Sequence, residues 1–441
     1  MPGVIWPGNL WDLTNRMTGE FSEIELSGLE RSMLGGELGG AAQLAMRILA
    51  RVAPLYGATR FIEVTRAHID GCIYEGDAGL AFAERLASSG GRVRVPTSLN
   101  VISLDRARWR QLGQDADFAT KARRLGDAYL KMGARPTFTC APYQTEAAPA
   151  FGEQIAWSES NAVAYANSVI GARTNRYGDY LDISCAIAGR APAAGLHLSE
   201  NRLGTHHYVM HGLSPELEER TDFYAVLGYL LGRRCQDGIP VVEGLTRQPG
   251  DDQLKALCAA AATSGAIALL HLAGITPEAA TVADAFGGRI PQSIDRIGIE
   301  DLRAVRAELT TSRSDHVDVV AFGSPHCSLA ECKEIARHAA GLQAAVGVQV
   351  FVTTSSAVRA IADRLGILAE LERFGATVTA DTCIAVAPLV RPGARVLMTN
   401  SAKYAHYGPG LIGVDSVFGS TADCIHSAVA GKVIVDDGPW A

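Results

Sequence analysis

The sequence has 441 residues, of which 48% are hydrophobic and 20% are charged. At roughly 150 residues per domain, this length predicts two or three domains with a sizeable core. The chain carries 47 acidic residues and 40 Lys or Arg residues, which gives a formal net charge of -7. Because binding to a phosphate backbone requires a basic surface, this balance argues against nucleic acid as a main partner.

Neither the N-terminus nor the longest uncharged segment predicts a membrane protein. The first seven residues lack the basic and apolar regions of a secretory signal. The uncharged segment 256–276 is long enough to raise the question of a membrane span. However, the Thr-Ser-Gly sequence at 263–265 interrupts it, and it contains His271. This pattern instead predicts a buried helix followed by a strand at residues 266–272.

The nine cysteines indicate the cellular compartment. Their odd number and wide spacing argue against the disulfide framework of a small secreted protein. We therefore expect reduced thiols and a cytoplasmic location.

Short apolar runs alternate with helical patterns almost to the C-terminus, after an N-terminal tail at residues 1–20. This alternation is typical of an α/β fold with largely parallel sheets. A polar, turn-rich segment at 245–252 predicts a boundary between a first α/β portion, 21–245, and a second, 246–441. Strands are predicted at 60–64, 91–95, 135–139, 239–243, 317–322, 347–353, 376–379 and 395–398. Helices are predicted at 77–88, 160–170, 222–234, 328–340, 356–373 and 421–430.

Three cysteines and one of the six lysines follow predicted strands, namely Cys140, Cys327, Cys383 and Lys403. In open parallel α/β sheets, ligands bind beyond the carboxyl ends of the strands. Three converging thiolates would form a soft metal site, which suits an iron-sulfur cluster with a free corner or, on the same ligands, zinc. The alternative is that each cysteine is a small buried hydrophobic residue. The spacing alone does not decide, because there is no Cys-x-x-Cys pair.

Several segments together resemble the large, catalytic part of the aconitase X family, and the match covers roughly residues 22–435. The segments that carry this resemblance are His-Ile-Asp-Gly-Cys-Ile-Tyr at 68–74, Pro-Thr-Ser-Leu-Asn at 96–100, Thr-Cys-Ala-Pro-Tyr at 139–143, Glu-Ser-Asn-Ala at 159–162, Gly-Ala-Arg-Thr-Asn-Arg-Tyr-Gly-Asp at 171–179, Gly-Ser-Pro-His-Cys at 323–327, Asp-Thr-Cys at 381–383 and Thr-Asn-Ser-Ala-Lys-Tyr at 399–404.

The resemblance implies an aconitase-like large subunit, with several three-layer α/β/α domains around an iron-sulfur site, that dehydrates a hydroxylated acid. The family's metal ligands correspond to Cys140, Cys327 and Cys383, and mononuclear iron on these ligands stays open. The implied substrate-binding residues are Gly71, Cys72, Ile73, Asn100, Val101, Glu159, Ser160 and Lys403, of which Glu159, Ser160 and Lys403 are the implied catalytic residues. The alternatives are that Gly71 and Asn100 are turn residues, that Glu159 and Ser160 only begin a helix, and that Lys403 is an idle surface lysine.

Two activities are known in the resembled family, the dehydration of cis-3-hydroxy-L-proline and that of mevalonate 5-phosphate. In the phosphomevalonate enzymes the two substrate loops look like Gly-Val-Ser and Asn-Pro, whereas this chain has Gly-Cys-Ile at 71–73 and Asn-Val at 100–101. Since an isoleucine replaces a hydroxyl donor suited to a phosphate, we expect cis-3-hydroxy-L-proline as substrate. Mevalonate 5-phosphate is the alternative, and a non-catalytic metal-binding or regulatory subunit is an alternative of another class.

The resemblance also implies a partner. In this superfamily the serine that abstracts the proton lies on a small swivelling domain, either fused or in a separate subunit. Residues 22–441 leave no stretch for a further domain of about 100 residues, so a separate small subunit is expected. Loss of the C2 proton and the C3 hydroxyl would give an enamine that tautomerises to Δ1-pyrroline-2-carboxylate.

Overall fold

The computed structural model describes residues 23–441, so the predicted tail at 1–20 lies outside the described residues. The strands of this part of the chain are β1 (Phe61–Glu63), β2 (Arg66–Ile69), β3 (Thr97–Leu99), β4 (Ile155–Trp157), β5 (Arg190–Pro192), β6 (His206–Met210), β7 (Pro240–Glu243), β8 (His271–Leu272), β9 (Ser293–Ile297), β10 (Val319–Phe322), β11 (Gln349–Thr354), β12 (Ala376–Ala380), β13 (Val396–Thr399) and β14 (Asp415–Phe418).

The α-helices within the same residues separate most of these strands. They are α1 (Gly28–Gly35), α2 (Gly40–Val52), α3 (Asp77–Ser88), α4 (Ala116–Lys131), α5 (Ser160–Tyr165), α6 (Leu181–Ala188), α7 (Pro215–Glu218), α8 (Thr221–Cys235), α9 (Asp251–Ser264), α10 (Val282–Phe286), α11 (Ile299–Glu308), α12 (Leu329–Ala339), α13 (Ser356–Arg364), α14 (Ile367–Phe374), α15 (Ala402–Tyr407) and α16 (Thr421–Ala430).

Three parallel sheets organise the chain. The first sheet has the strand order β3-β2-β4, the middle sheet β8-β7-β6-β9, and the last sheet β12-β11-β10-β13-β14. All neighbours within these sheets are parallel, and among the strands named above only the small β1–β5 pair is antiparallel. The predicted α/β class with largely parallel sheets is confirmed. The predicted boundary at 245–252 lies between β7 and β8, so the division at residue 245 runs through the middle sheet.

The last sheet is buried on both faces. In β10, Val320 and Phe322 belong to the hydrophobic core on one face, whereas Val319 and Ala321 belong to the core on the other. Because successive side chains of a strand point to opposite faces, four consecutive apolar residues suit a strand covered on both sides by helices. This continuous apolar run is what makes the strand predictable from the sequence.

Some predicted elements differ from the structure, and backbone geometry explains the differences. Residues 91–95 are not a strand, because the N–H groups of Val93 and Arg94 donate to carbonyl groups of neighbouring helical segments rather than to a strand. The predicted helix 356–373 is two helices, since Gly366 adopts a left-handed conformation (φ +76°) between α13 and α14. The predicted helix 160–170 continues as a π-helix from Ala166 to Ile170.

Helices α8 and α9 pack in close contact with each other and share one hydrophobic core with the middle sheet. A Cβ atom at Gly228 would lie 2.2 Å from the carbonyl oxygen of Leu257, and one at Gly232 would lie 2.6 Å from that of Ala261. Glycine at both positions therefore permits the close approach of the two backbones.

Within residues 23–441, the structure contains no helix of sufficient length and hydrophobicity to cross a membrane.

Candidate active site

The carboxyl ends of the first sheet bring three polar side chains together. In the central strand β2, Ile69 is paired with Leu99 of β3 and His68 with Trp157 of β4. Continuing this register beyond the strands places Asp70 next to Asn100 on one side and Glu159 on the other. The Asn100 amide donates a hydrogen bond to Asp70 Oδ1. We call Asp70, Asn100 and Glu159 the first edge.

Cys140 lies next to the first edge. The segment before it runs along β3, with the Arg135 N–H donating to Thr97 O (2.8 Å) and the Thr139 N–H donating to Leu99 O (3.1 Å). The predicted strand 135–139 is reduced to one bridge at Arg135, because proline at 136 lacks an N–H group and the φ of Phe138 is positive.

The last sheet presents its own polar residues at its carboxyl ends. Cys327 follows β10, Cys383 follows β12, and Lys403 lies in the first turn of α15 after β13. Ser401 caps this helix by accepting a hydrogen bond from the Tyr404 N–H (3.1 Å). We call Cys327, Cys383 and Lys403 the last edge.

An ion pair joins the two edges. Lys403 Nζ lies 2.5 Å from Glu159 Oε1, and both side chains are largely buried, with 18% and 5% exposed. Two further hydrogen bonds connect the segment after β3 with the end of β12, since the Ile102 N–H donates to Asp381 O (2.9 Å) and the Ala380 N–H donates to Asp105 Oδ2 (3.1 Å). The two sheets therefore face each other across one site.

Burial controls the charges at this site. Burial raises the pKa of Asp70 to about 8, with a further contribution from Glu159, and burial also raises the pKa of Asp182 to about 7. Burial alone would lower the pKa of Lys403, but the Glu159 carboxylate outweighs it, and the pKa is raised overall. Lys403 is thus a permanent cation at neutral pH, whereas Asp70 is largely protonated when no ligand cation is present.

The remaining predicted substrate-binding residues lie in or beside the first edge. Gly71 is held by the Tyr129 hydroxyl, which donates to its carbonyl group (3.1 Å). Cys72 is fully buried, and its thiol points at the carbonyl oxygens of Asn100 (3.2 Å) and Val101 (3.5 Å). Its side chain therefore stabilises the loop at 100–101 rather than facing the space between the edges.

Ile73, Val101 and Ser160 differ in exposure. Ile73 is partly exposed and lines an apolar groove together with Ile384, whereas Val101 is buried. Ser160 is partly exposed at the start of α5, and within residues 23–441 its hydroxyl has no hydrogen-bond partner. A hydroxyl in this position is free to bind a ligand.

His326 connects the loops that carry the three predicted metal ligands. Its backbone N–H donates to Cys140 Sγ (3.2 Å), and its ring Nε2 lies 3.1 Å from the carbonyl oxygen of Thr382. The Cys327 and Cys383 loops and the Cys140 sulfur therefore meet at one residue. Two polar atoms here, His326 Nδ1 and Thr382 Oγ1, are buried without a hydrogen-bond partner in the described part of the chain.

Comparisons with known proteins agree with this architecture. Three family models match, described as the first, second and third domains of aconitase X, at residues 23–200, 205–307 and 317–430 respectively. The chain belongs to the aconitase X family. A solved structure, the holo-form of aconitase X from Thermococcus kodakaraensis, superposes with a TM-score of 0.81 at 35% identity and covers 92% of this chain and 100% of that chain.

Curated aconitase X relatives are named dehydratases. The chain is 49% identical over 410 residues to cis-3-hydroxy-L-proline dehydratase of Pseudomonas aeruginosa, which covers 92% of this chain and 70% of the relative. It is 45% identical to the enzyme of the same name from Hypocrea jecorina, with 92% and 69% covered. It is 39% identical to the phosphomevalonate dehydratase large subunit of Methanothermobacter thermautotrophicus, with 90% and 96% covered. The chain is accordingly an enzyme of the hydro-lyase class.

Cys140, Cys327 and Cys383 have the sulfur donors that an iron centre requires, and their loops lie next to one another. Their three side chains do not point at a common position, however. Cys140 lies close enough to Cys383 for the two thiols to interact, whereas the Cys327 thiol interacts with Cys332. Within residues 23–441, no group of three or more His, Cys, Asp or Glu side chains is arranged to hold a metal ion. Three thiols on loops that meet at His326 fit an iron centre. Binding the metal requires the Cys327 side chain to rotate away from Cys332 towards the other two thiols.

Two further residues of the site were not predicted from the sequence. Asp70 precedes Gly71, and the sequence feature that could have identified it is an acidic residue directly after a strand. Lys255 is only 2% exposed, pairs with Asp252 (2.9 Å) and Glu331, and lines a pocket with Cys327 and Lys403. Its sequence signal is weak, since it is one lysine in an Ala-rich helix.

Proposed function

We propose that this chain is the large subunit of a cis-3-hydroxy-L-proline dehydratase, which eliminates water to give Δ1-pyrroline-2-carboxylate. The observation that carries the reaction is the buried Lys403–Glu159 ion pair, which lies between the two edges and beside Cys140. The substrate is supported by the 49% and 45% identities to two enzymes of that name, against 39% for the first phosphomevalonate relative.

The first edge and Lys403 bind and orient the substrate. Lys403 keeps its proton at neutral pH, so it can neutralise the substrate carboxylate or the charge that develops during elimination. Ser160 offers a hydroxyl without a partner among the described residues, and Asn100 offers a buried carboxamide. The apolar side chain of Ile73 suits the hydrocarbon part of a pyrrolidine ring better than a phosphate.

Cys140, Cys327 and Cys383 are proposed to hold an iron-sulfur cluster or a mononuclear iron. When bound, such a centre supplies a Lewis acid for the departing hydroxyl group. The nine cysteines are all free and buried, which supports a reducing, cytoplasmic environment.

A separate small subunit is proposed to supply the serine that removes the C2 proton. This proposal is supported by the names of the phosphomevalonate relatives, which are large subunits covered to 96% and 98% by this chain. The two hydroxyproline dehydratases are covered to only 70% and 69%, so about 30% of each has no counterpart in the match.

An anaerobic assay with two substrates tests the proposed function. The chain is purified with and without the small partner protein and given cis-3-hydroxy-L-proline or mevalonate 5-phosphate. We expect pyrroline-carboxylate to form from hydroxyproline only when both proteins are present. Full activity of this chain without the partner would exclude the separate subunit. Turnover of mevalonate 5-phosphate but not of hydroxyproline would show that mevalonate 5-phosphate is the substrate.

Iron analysis tests the metal ligands independently of activity. The triple alanine variant of Cys140, Cys327 and Cys383 is expected to lose its iron, whereas the control Cys332→Ala keeps it. Unchanged iron content in the triple variant would remove these ligands from the proposal.

A further inference from the structure

In the part of the chain that the structure describes, Asp70 is a partly exposed carboxyl group without a cationic partner. Its charged neighbours are the acidic residues Glu159, Asp179 and Asp182, and no ion pair within residues 23–441 includes Asp70. Glu159 differs, because Lys403 neutralises it. The first edge therefore contains one carboxyl group that, once ionised, has no counter-ion among the described residues and can take one from a ligand.

The carboxamide of Asn100 gives a second, independent indication of a ligand. Its nitrogen donates a hydrogen bond to Asp70 Oδ1, and its oxygen, bonded to the same carbon, lies within a few ångströms of the Asp70 carboxyl group. Asn100 Oδ1 is buried and has no hydrogen-bond partner in the described chain, and Asn100 is only 1% exposed. Leaving a buried acceptor without a hydrogen bond is energetically unfavourable. A ligand that donates a hydrogen bond here removes that cost.

A carboxylate next to a free amide oxygen recognises a particular chemistry. Both groups accept hydrogen bonds, and one is a potential anion, so together they suit a cationic group with two N–H donors. A phosphate or a carboxylate would instead meet repulsion from Asp70 and its acidic neighbours. The parallel register of β2 and β3 fixes Asp70 and Asn100 side by side before any ligand arrives.

We propose that Asp70 and Asn100 bind the protonated secondary amine of a cyclic amino acid, with the Asp70 carboxylate as its counter-ion and Asn100 Oδ1 as the second acceptor. This inference rests on the proposed function and deepens it, because it names the group that distinguishes an imino acid from a phosphorylated hydroxy acid. The substrate carboxylate then lies towards Lys403, so the two ends of the substrate meet opposite charges.

Binding of a cation at Asp70 is expected to release a proton and to depend on pH. The raised pKa of about 8 means that Asp70 is largely protonated at pH 7 without ligand. A bound ammonium group favours the ionised carboxylate and lowers this pKa, so binding at pH 7 releases a proton and becomes tighter as the pH rises towards 8. The groups that face Asp70 are Glu159, Asp179, Asp182, Cys72 and Asn100, and Lys403 acts on it through Glu159.

Calorimetry with two unreactive ligands tests the proposal on the assembled, anaerobic enzyme. L-proline carries the ammonium group, and tetrahydrofuran-2-carboxylate replaces it by an ether oxygen. We expect the wild type to prefer L-proline by roughly 10- to 100-fold and to release a proton on binding it, measured in two buffers of different ionisation enthalpy. Asp70→Asn should lose both the preference and the proton release while it still binds the oxygen analogue.

Asp179→Asn is the matched control, since it removes an acidic charge near Asp70 without touching Asn100. It should keep the preference for L-proline, and thermal unfolding checks that both variants fold. The wild-type comparison needs no variant and decides the proposal even if Asp70→Asn does not fold.

The outcomes separate this inference from the proposed function. An enzyme that dehydrates hydroxyproline but binds both analogues equally overturns the inference alone, as does an Asp70→Asn variant that keeps the preference. An enzyme that turns over only mevalonate 5-phosphate and does not bind L-proline overturns both.

Discussion

The two edges of the site are built in different ways. In the first edge, Asp70, Asn100 and Glu159 follow adjacent strands, and the parallel register aligns them directly. In the last edge, Cys327, Cys383 and Lys403 follow strands that are not all neighbours, because β11 and β10 separate β12 from β13. Strand pairing thus fixes the first edge, whereas loop conformation places the residues of the last edge. This difference explains why the first edge is preformed and the thiols are not.

The largest expected effect comes from the last edge. We expect Cys383→Ala to lose iron and to lower kcat/KM on the order of 1000-fold, because a Lewis acid contributes several kcal/mol to the transition state. Iron content and steady-state rates under anaerobic conditions measure it. The control Cys332→Ala removes a buried thiol from the neighbourhood of Cys327 and should keep the iron. Equal loss in both variants would show a general packing effect.

The ion pair between the edges comes next. Lys403→Met leaves the Glu159 carboxylate buried without a partner, so the free energy of unfolding should fall by about 3 kcal/mol and kcat/KM by roughly 100-fold. Urea unfolding and steady-state kinetics measure the two quantities. The double variant Lys403→Met/Glu159→Gln should regain most of the stability but none of the activity. Recovery of activity would mean that the pair only connects the two edges.

The buried Asp182 next to the first edge should make the stability of the protein depend on pH. This residue is fully buried, and its carboxylate accepts hydrogen bonds from the N–H groups of Asp70 (2.7 Å) and Ile183 (2.6 Å). Its pKa is raised to about 7, so the folded state keeps a proton that the unfolded state loses above about pH 4. The free energy of unfolding therefore falls as pH rises from about 4 to 7.

Asp182→Asn removes this titration and should flatten the decline by roughly 1–2 kcal/mol. Urea unfolding at several pH values measures it. The exposed Asp179 provides the control Asp179→Asn, which should leave most of the decline in place. Parallel curves for wild type and Asp182→Asn would contradict the raised pKa.

Cys72 gives the smallest expected effect. Since its thiol only donates weak hydrogen bonds to backbone carbonyl groups, Cys72→Ala should cost about 1 kcal/mol or less and should change KM by less than about fivefold. Unfolding and steady-state kinetics measure both values. A much larger increase in KM with unchanged stability would place the side chain in contact with the substrate, as the sequence predicts.

Strand-end residues of the last sheet were predictable, whereas the contacts between the sheets were not. The apolar run at Val319–Phe322 predicts a buried strand, and Cys327 and Lys403 follow such strands in the sequence. The role of Asp70 depends on which strands pair and in which register, and no local pattern contains that information. Similarly, the link through His326 depends on contacts between residues 186 positions apart.

The parallel register of β2, β3 and β4 limits how this site can change in evolution. Substitution at Asp70, Asn100 or Glu159 changes the side chains at the proposed ligand site while the backbone stays in place. Insertion or deletion of one residue within these strands would instead shift the alignment and turn a side chain to the opposite face of the sheet. We therefore expect natural variation in substrate choice to arise by exchange of residues at these positions, with length changes confined to the surface loops.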